Sequence, residues 1–196
     1  MRSCILKLTR LLPVVSALAT LSCAPSTKPE PKTPEQPSSN SQSVAATSND
    51  NASKLPDFTL ESVNGDSISL SSYLGKKVIL IDFWATWCEP CLAAMPHLND
   101  LYKKYSDDGF VILSVAMDGP DTVAEVRSYA NRHDLQFPIL LDQESRAVAL
   151  YNPRRSAPYS VLIGLDGNII SKHDGYQPGD EVGLEKEISR ALPGNK

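Results

Sequence analysis

The segment Trp84-Ala85-Thr86-Trp87-Cys88-Glu89-Pro90-Cys91 constrains this chain more than any other. Before it stands Val78-Ile79-Leu80-Ile81-Asp82-Phe83, an apolar, β-branched run that reads as a buried strand. After it, Leu92, Met95, Leu98, Leu101 and Tyr102 recur at helical spacing. Pro90 suits a helix start, where no N–H is needed, and Pro96 should kink the helix further along. The cysteines therefore fall where a strand turns into a helix. First-turn N–H groups of a helix are unpaired and carry partial positive charge, so a thiolate on Cys88 is stabilised there. Cys91, one turn on, lies on the same face within bonding distance, and a reversible Cys88–Cys91 disulfide follows. Two other uses of the pair carry less weight. A permanent staple across so short a loop removes little chain entropy. A zinc site needs more ligands than one Cys-x-x-Cys, and His97, His133 and His173 lack ligand-pair spacing.

The folded part begins near Leu55-Pro56-Asp57-Phe58 and is expected to run over 55–196 as one domain. Phe58–Glu61 and Ser67–Leu70 alternate apolar and polar around Asn64-Gly65-Asp66, a hairpin signal. The strand at 78–84 and a helix over about 89–105 come next, the helix stopping at Asp107-Asp108-Gly109. Phe110–Ala116 reads as a second buried strand, Thr122–His133 as a helix, and Phe137–Leu141 as a third short strand. A short helix over Glu144–Tyr151 precedes Tyr159–Ile163 and Asn168–Ser171, which flank the turn Leu165-Asp166-Gly167. A last helix spans about Asp180–Ala191. Strands alternating with helices imply parallel pairing, and the final Asp-Gly turn implies an antiparallel hairpin. The expected class is α/β: a mixed central sheet flanked by helices, with an N-terminal β-hairpin and an inserted helix and strand at 122–141.

The first 54 residues have a different character. In residues 1–23, Arg2, Lys7 and Arg10 precede an apolar stretch of eleven residues, Leu11–Leu21, which is a secretory signal too short for a membrane span. Thr20-Leu21-Ser22-Cys23 resembles the lipobox of bacterial lipoproteins, which implies a lipidated Cys23 as the new N-terminus. Ala17-Leu18-Ala19 offers ordinary cleavage instead, but leaves Cys23 as an orphan thiol in an oxidising compartment. Either cut removes Arg2, Lys7 and Arg10 and leaves 16 basic against 23 acidic residues, a net of −7. With no basic run beyond the N-terminus, nucleic acid drops out as a partner. Residues 24–54 carry five prolines, seven serines and no aromatic residue, so they read as a disordered tether. As a coil its ends would lie about 30 Å apart.

The segment Asp82–Cys91 closely resembles the active-site segment of thioredoxin, and Ala157-Pro158-Tyr159-Ser160 resembles its cis-proline loop. The Cys-Glu-Pro-Cys tetrad, the leading hairpin, the inserted helix and strand, and the exported N-terminus resemble the thiol–disulfide reductases of the TlpA/ResA type. The resemblance covers about Leu55 to Leu192. It implies a thioredoxin-like fold and a tethered, monomeric, extracytoplasmic enzyme of the bacterial cell envelope. Such an enzyme exchanges protein dithiols and disulfides without a cofactor beyond its own cysteines, and draws on a membrane-embedded electron donor. Cytochrome c maturation and cell redox homeostasis are the implied settings. Two departures bear on partner choice: Arg154-Arg155 stands where relatives have a shorter Gly-containing segment, and Gly164 replaces a common Asp.

Carried onto these positions, Cys88 is the nucleophile, as the cysteine expected to be exposed, and Cys91 resolves the mixed disulfide. Asp82, an acid inside an apolar run, should have a raised pKa and assist proton transfer at Cys91. Glu89 beside Cys88 disfavours the thiolate, which makes the couple more reducing and favours a reductase. Pro158, if cis, exposes backbone for substrate, with Trp87, Pro90 and Ala157 as substrate contacts and Trp84 more core than surface. Arg154 and Arg155 are expected to be solvated. A thiol peroxidase of the peroxiredoxin type would need P-x-x-x-T-x-x-C, yet Ala85 and Ile81 occupy those positions. A tethered metal or haem chaperone partner, binding through the cysteine pair without turnover, is the non-enzymatic alternative.

Overall fold

The structure is a computed structural model that describes residues 55–194. The signal segment, Cys23 and the tether lie outside the described residues. Strands β1 (Thr59–Ser62) and β2 (Ser67–Ser69) form the leading hairpin. Then follow β3 (Val78–Trp84), α1 (Glu89–Tyr105), β4 (Phe110–Ala116), α2 (Val123–Arg132), β5 (Ile139–Leu141) and α3 (Arg146–Tyr151). The chain closes with β6 (Tyr159–Ile163), β7 (Ile169–Asp174) and α4 (Asp180–Ala191). One mixed sheet joins all seven strands in the order β2-β1-β5-β4-β3-β6-β7. β3, β4 and β5 are parallel neighbours, and the hairpin at one end and the β6–β7 hairpin at the other run antiparallel.

All seven residues of β3 and all seven of β4 are buried, as continuous apolar runs in the middle of a sheet covered on both faces should be. On one face Val78, Leu80 and Trp84 share a core with α1, α2 and α4. On the other, Ile79, Ile81 and Phe83 meet α3, Leu70 and the hairpin residues Phe58 and Leu60. Asp82 is on the first face. That parity puts a carboxyl beneath α1 and α4.

Several boundaries differ from those the residues led one to expect, and two of them shape the sheet. β5 starts at Ile139 rather than Phe137, because Pro138 has no N–H to give the ladder; its carbonyl still accepts from the Ser114 amide, at 3.0 Å. β7 runs on to Asp174, three residues past Ser171, and pairs Lys172, His173 and Asp174 with Val161, Ser160 and Tyr159. Polar Lys-His-Asp carries no hydrophobic alternation, so the extension gave no sequence signal.

Helix α1 continues through Pro96, which is exposed and cannot donate to the Leu92 carbonyl one turn before it. Tyr129 of α2 supplies the donor instead, its hydroxyl at 3.3 Å from that carbonyl. The Tyr129 ring also lies 5.4 Å from that of Trp84. A second tie joins the same segments: Asn99 of α1 donates to the Asp134 carbonyl and accepts from the Gln136 amide, at 3.1 and 2.9 Å.

Candidate active site

Cys88 occupies the N-cap of α1, with Glu89 and Pro90 opening the helix. It is disulfide-bonded to Cys91, the Cα atoms 5.3 Å apart. The Cys91 amide, one of the first-turn donors with no helical acceptor, points at Cys88 Sγ from 3.3 Å. A charge arriving on Cys88 sulfur on reduction would therefore meet a donor already in place. Cys88 is only 4% exposed and Cys91 1%, so the N-terminal cysteine is the more accessible by a narrow margin in the oxidised state. The open surface around them belongs to Trp87, 67% exposed, and to Glu89 and Pro90. Glu89 makes no hydrogen bond or ion pair with the described residues. Trp84 is fully buried beneath the site.

The loop that delivers the cysteines is pinned by a residue the sequence did not single out. Asp118, 2% exposed just past the end of β4, accepts from the Thr86 amide at 3.0 Å and from the Thr86 hydroxyl at 2.5 Å. An acid in Met117-Asp118-Gly119 looks like an ordinary turn residue. Only the parallel register, which sets Trp84 beside Ala116, reveals that it sits under the loop leaving β3.

The peptide between Ala157 and Pro158 is cis, and Pro158 is buried. Its loop is organised from inside by Asn152, fully buried, whose side chain donates to the Ser156 carbonyl at 2.7 Å and accepts from the Ser156 amide at 3.2 Å. Arg154 and Arg155 are at the loop's exposed tip. Arg155 is in the left-handed region at φ 54°, and Arg154 reaches Asp174 at 3.6 Å, an exposed pair that adds little.

Asp82 is 5% exposed, and its pKa is pushed up to about 7 by burial, against a smaller downward pull from the Ser114 hydroxyl 3.2 Å away. A carboxyl that exchanges its proton near neutrality is suited to acid–base work on a thiol. It lines a cleft of about 510 Å³ that also takes in Pro158, Ser160, His97, His173 and Glu187. Among the described residues, no three His, Cys, Asp or Glu side chains gather to hold a metal ion.

The family described as AhpC/TSA matches over residues 52–172. The thiol-disulfide oxidoreductase ResA of a Bacillus cereus strain is 35% identical over 140 residues, covering 71% of this chain and 78% of that protein. A Chlorobium tepidum structure assigned as a DsbE-type thiol:disulfide interchange protein superposes with a TM-score of 0.64 at 31% identity, over 70% of this chain and 94% of that one. An exposed lipoprotein thioredoxin of Streptococcus pneumoniae superposes with a TM-score of 0.56 at 29% identity, over 68% of this chain and all (100%) of its own.

Proposed function

Since the chain belongs to the AhpC/TSA family, as a thioredoxin-like thiol-disulfide oxidoreductase of the TlpA/ResA type, we propose that it reduces protein disulfides outside the cytoplasm through the Cys88–Cys91 pair. The observation that carries the proposal is the redox pair at the N-terminus of α1, with a donor on Cys88 sulfur and a carboxyl titrating near neutrality in the same core.

In the reduced enzyme, Cys88 thiolate attacks one sulfur of a substrate disulfide; the substrate S–S bond breaks and its other sulfur leaves as a thiolate that takes a proton from water. Asp82 carboxylate then accepts the proton of the Cys91 thiol, and Cys91 sulfur attacks Cys88 sulfur. The Cys88–Cys91 bond forms, the mixed disulfide breaks, and the second substrate sulfur leaves as a thiolate that takes a proton from water. The substrate gains two electrons and the enzyme loses two, which a partner dithiol returns; a membrane-embedded donor fits this need. Pro158 and Ala157 present backbone to the substrate, with Trp87 and Pro90 as the exposed contacts. Glu89 opposes the thiolate and biases the couple towards reduction. A thiol peroxidase gains no support, since Ala85 and Ile81 stand where its site needs Thr and Pro.

Lipidation at Cys23, followed by the Pro/Ser-rich tether, would hold the domain at a membrane surface as a monomer, with cytochrome c maturation as one setting for its substrates. The lipoprotein named above supports anchoring by likeness. Globomycin should cause the precursor to accumulate; no accumulation removes the anchor.

Insulin-disulfide reduction tests the chemistry: Cys88→Ser should abolish it, while Cys91→Ser should trap substrates on Cys88. Retained activity in Cys88→Ser overturns the assignment. A reduction potential near the thioredoxin value of about −270 mV supports the reductase direction, and one near about −120 mV, as in DsbA, refutes it.

A further inference from the structure

The loop between α3 and β6 ends beside the cysteines. Ala157 packs against the core cluster that holds Cys88 and Cys91, and Tyr159 is the register partner of Phe83, one residue before the end of β3. Arg155 stands two residues before Ala157, so the two Cα atoms are within about 7 Å of each other. The loop's tip has a buried mount. Asn152 bonds both the carbonyl and the amide of Ser156 through its side chain, and its own carbonyl accepts from the Arg155 amide at 2.9 Å. The Asn152 side-chain nitrogen also lies 3.9 Å from the sulfur of Met117, the neighbour of the Asp118 that clamps the cysteine loop. One buried residue thus ties the arginine turn to the support of Cys88. At φ 54° Arg155 holds a backbone conformation that glycine tolerates and a long side chain does not favour, and such residues cluster at active sites and ligand clamps.

The charges at this tip are largely uncommitted. Arg154 and Arg155 are exposed, and among the described residues Arg155 makes no ion pair. Arg154 reaches only Asp174, with 82% of its side chain still open to solvent. A hollow of about 300 Å³ beside the tip is walled by Arg154, Lys172, Asp174, Tyr159 and Asn152. Two bases face one acid there, and Arg155 on the adjoining residue adds a third base. The chain as a whole has a net charge of −4, so this local surplus runs against its composition.

We propose that Arg154, Arg155 and Lys172 form a basic subsite that receives acidic side chains next to the cysteine of a substrate protein, and so sets which disulfides are reduced fastest. The inference rests on the disulfide-reductase reading above. A substrate seated on Cys88, with its backbone against Ala157 and Pro158, brings the residues flanking its cysteine to the arginine tip. Surplus positive charge draws carboxylates in, and each guanidinium offers a carboxylate two parallel N–H donors where Lys172 offers a point charge. No bond forms or breaks at the subsite; it governs encounter and grip and leaves the sulfur chemistry to the cysteines.

The test uses three short peptides that differ only in the residues flanking one cysteine, Glu, Gln or Lys, each as a mixed disulfide with thiopyridine. When Cys88 of the pre-reduced enzyme takes the peptide sulfur, thiopyridine leaves and reads the attack. Each rate is divided by that of mercaptoethanol on the same peptide, which removes the peptide's own reactivity. The native enzyme should prefer the Glu peptide to the Gln peptide by about tenfold, with the Lys peptide slowest, and the preference should fall as salt rises. Arg154→Gln combined with Arg155→Gln should cut the ratio to about twofold or less. Arg154→Glu combined with Arg155→Glu should favour the Lys peptide, a gain that a misfolded variant would not show. Equal relative rates of the native enzyme on all three peptides overturn the subsite and leave the reductase reading standing. A full Glu preference in the double Gln variant also overturns it, because the selecting charge then lies elsewhere. No thiopyridine release from any peptide removes the reductase reading and the subsite together.

Discussion

Asp82 and Ser114 are register partners on adjacent parallel strands, and the serine hydroxyl donates to the buried carboxyl from 3.2 Å. That one bond is a partial offset to the cost of ionising Asp82, whose pKa is raised from 3.8 to about 7. A folded-state pKa above the unfolded one means that the fold binds this proton more tightly. The favourable contribution is complete below about pH 4 and lost as pH rises through about 7. Asp82→Asn should therefore gain stability over the native oxidised protein at pH 8, by up to about 4 kcal/mol, and little at pH 4. Urea denaturation of both proteins at the two pH values measures the difference; an equal gap at both would contradict the raised pKa.

Removing the hydroxyl alone should move the same group further. Ser114→Ala takes away a hydrogen bond that favours the carboxylate, so the Asp82 titration shifts to higher pH. Carbon-13 NMR of the labelled carboxyl, followed through pH 5–9, reads the midpoint directly. A downward shift would mean that the hydroxyl favours the protonated acid rather than the carboxylate.

Asp118 and Thr86 form the clamp under the cysteine loop. Asp118→Ala leaves the partly buried Thr86 amide without its acceptor and should cost about 1–3 kcal/mol of stability, seen as a lowered urea midpoint. Thr86→Val loses the hydroxyl bond alone and should cost about 1 kcal/mol.

The bond from Tyr129 to the Leu92 carbonyl exists because Pro96 cannot make it. Tyr129→Phe should cost about 1 kcal/mol in the native background. In Pro96→Ala the helix amide can take that carbonyl, and the cost of Tyr129→Phe should shrink. A double-mutant cycle on denaturation midpoints measures the coupling, and strict additivity would deny it.

Glu89 stands at the first helical position, exposed to solvent. Glu89→Gln should make the Cys88–Cys91 couple more oxidising by about 10–20 mV, from the fraction of a kcal/mol that such a charge contributes near a helix end. Equilibration with a glutathione buffer measures it; a shift in the reducing direction refutes the role given to the carboxylate.

The elements that bury apolar runs were legible from composition and period, because β3, β4 and α1 owe their form to residues whose only stable place is the core. The cysteine pair was legible for a related reason: strand, Cys-x-x-Cys and helical repeat follow one another without a gap. What escaped was set by partners distant in sequence. Asp118 acquires its meaning from Thr86, 32 residues earlier. The extension of β7 through His173 depends on pairing with β6, which polar residues do not announce. The near-burial of Cys88 is likewise a property of the assembled site, where Trp87, Glu89 and Pro90 take the solvent-facing positions.

The inserted helix α2 and the segment that follows it are fastened to the cysteine-bearing helix, through Tyr129 at Leu92 and through Asn99 at Asp134 and Gln136. They cannot be trimmed away to recover a minimal thioredoxin. Excision would strip the cover from Trp84, leave the Leu92 carbonyl one residue after Cys91 without its donor, and loosen the scaffold that keeps the two sulfurs in register. The insertion is a brace for the redox centre.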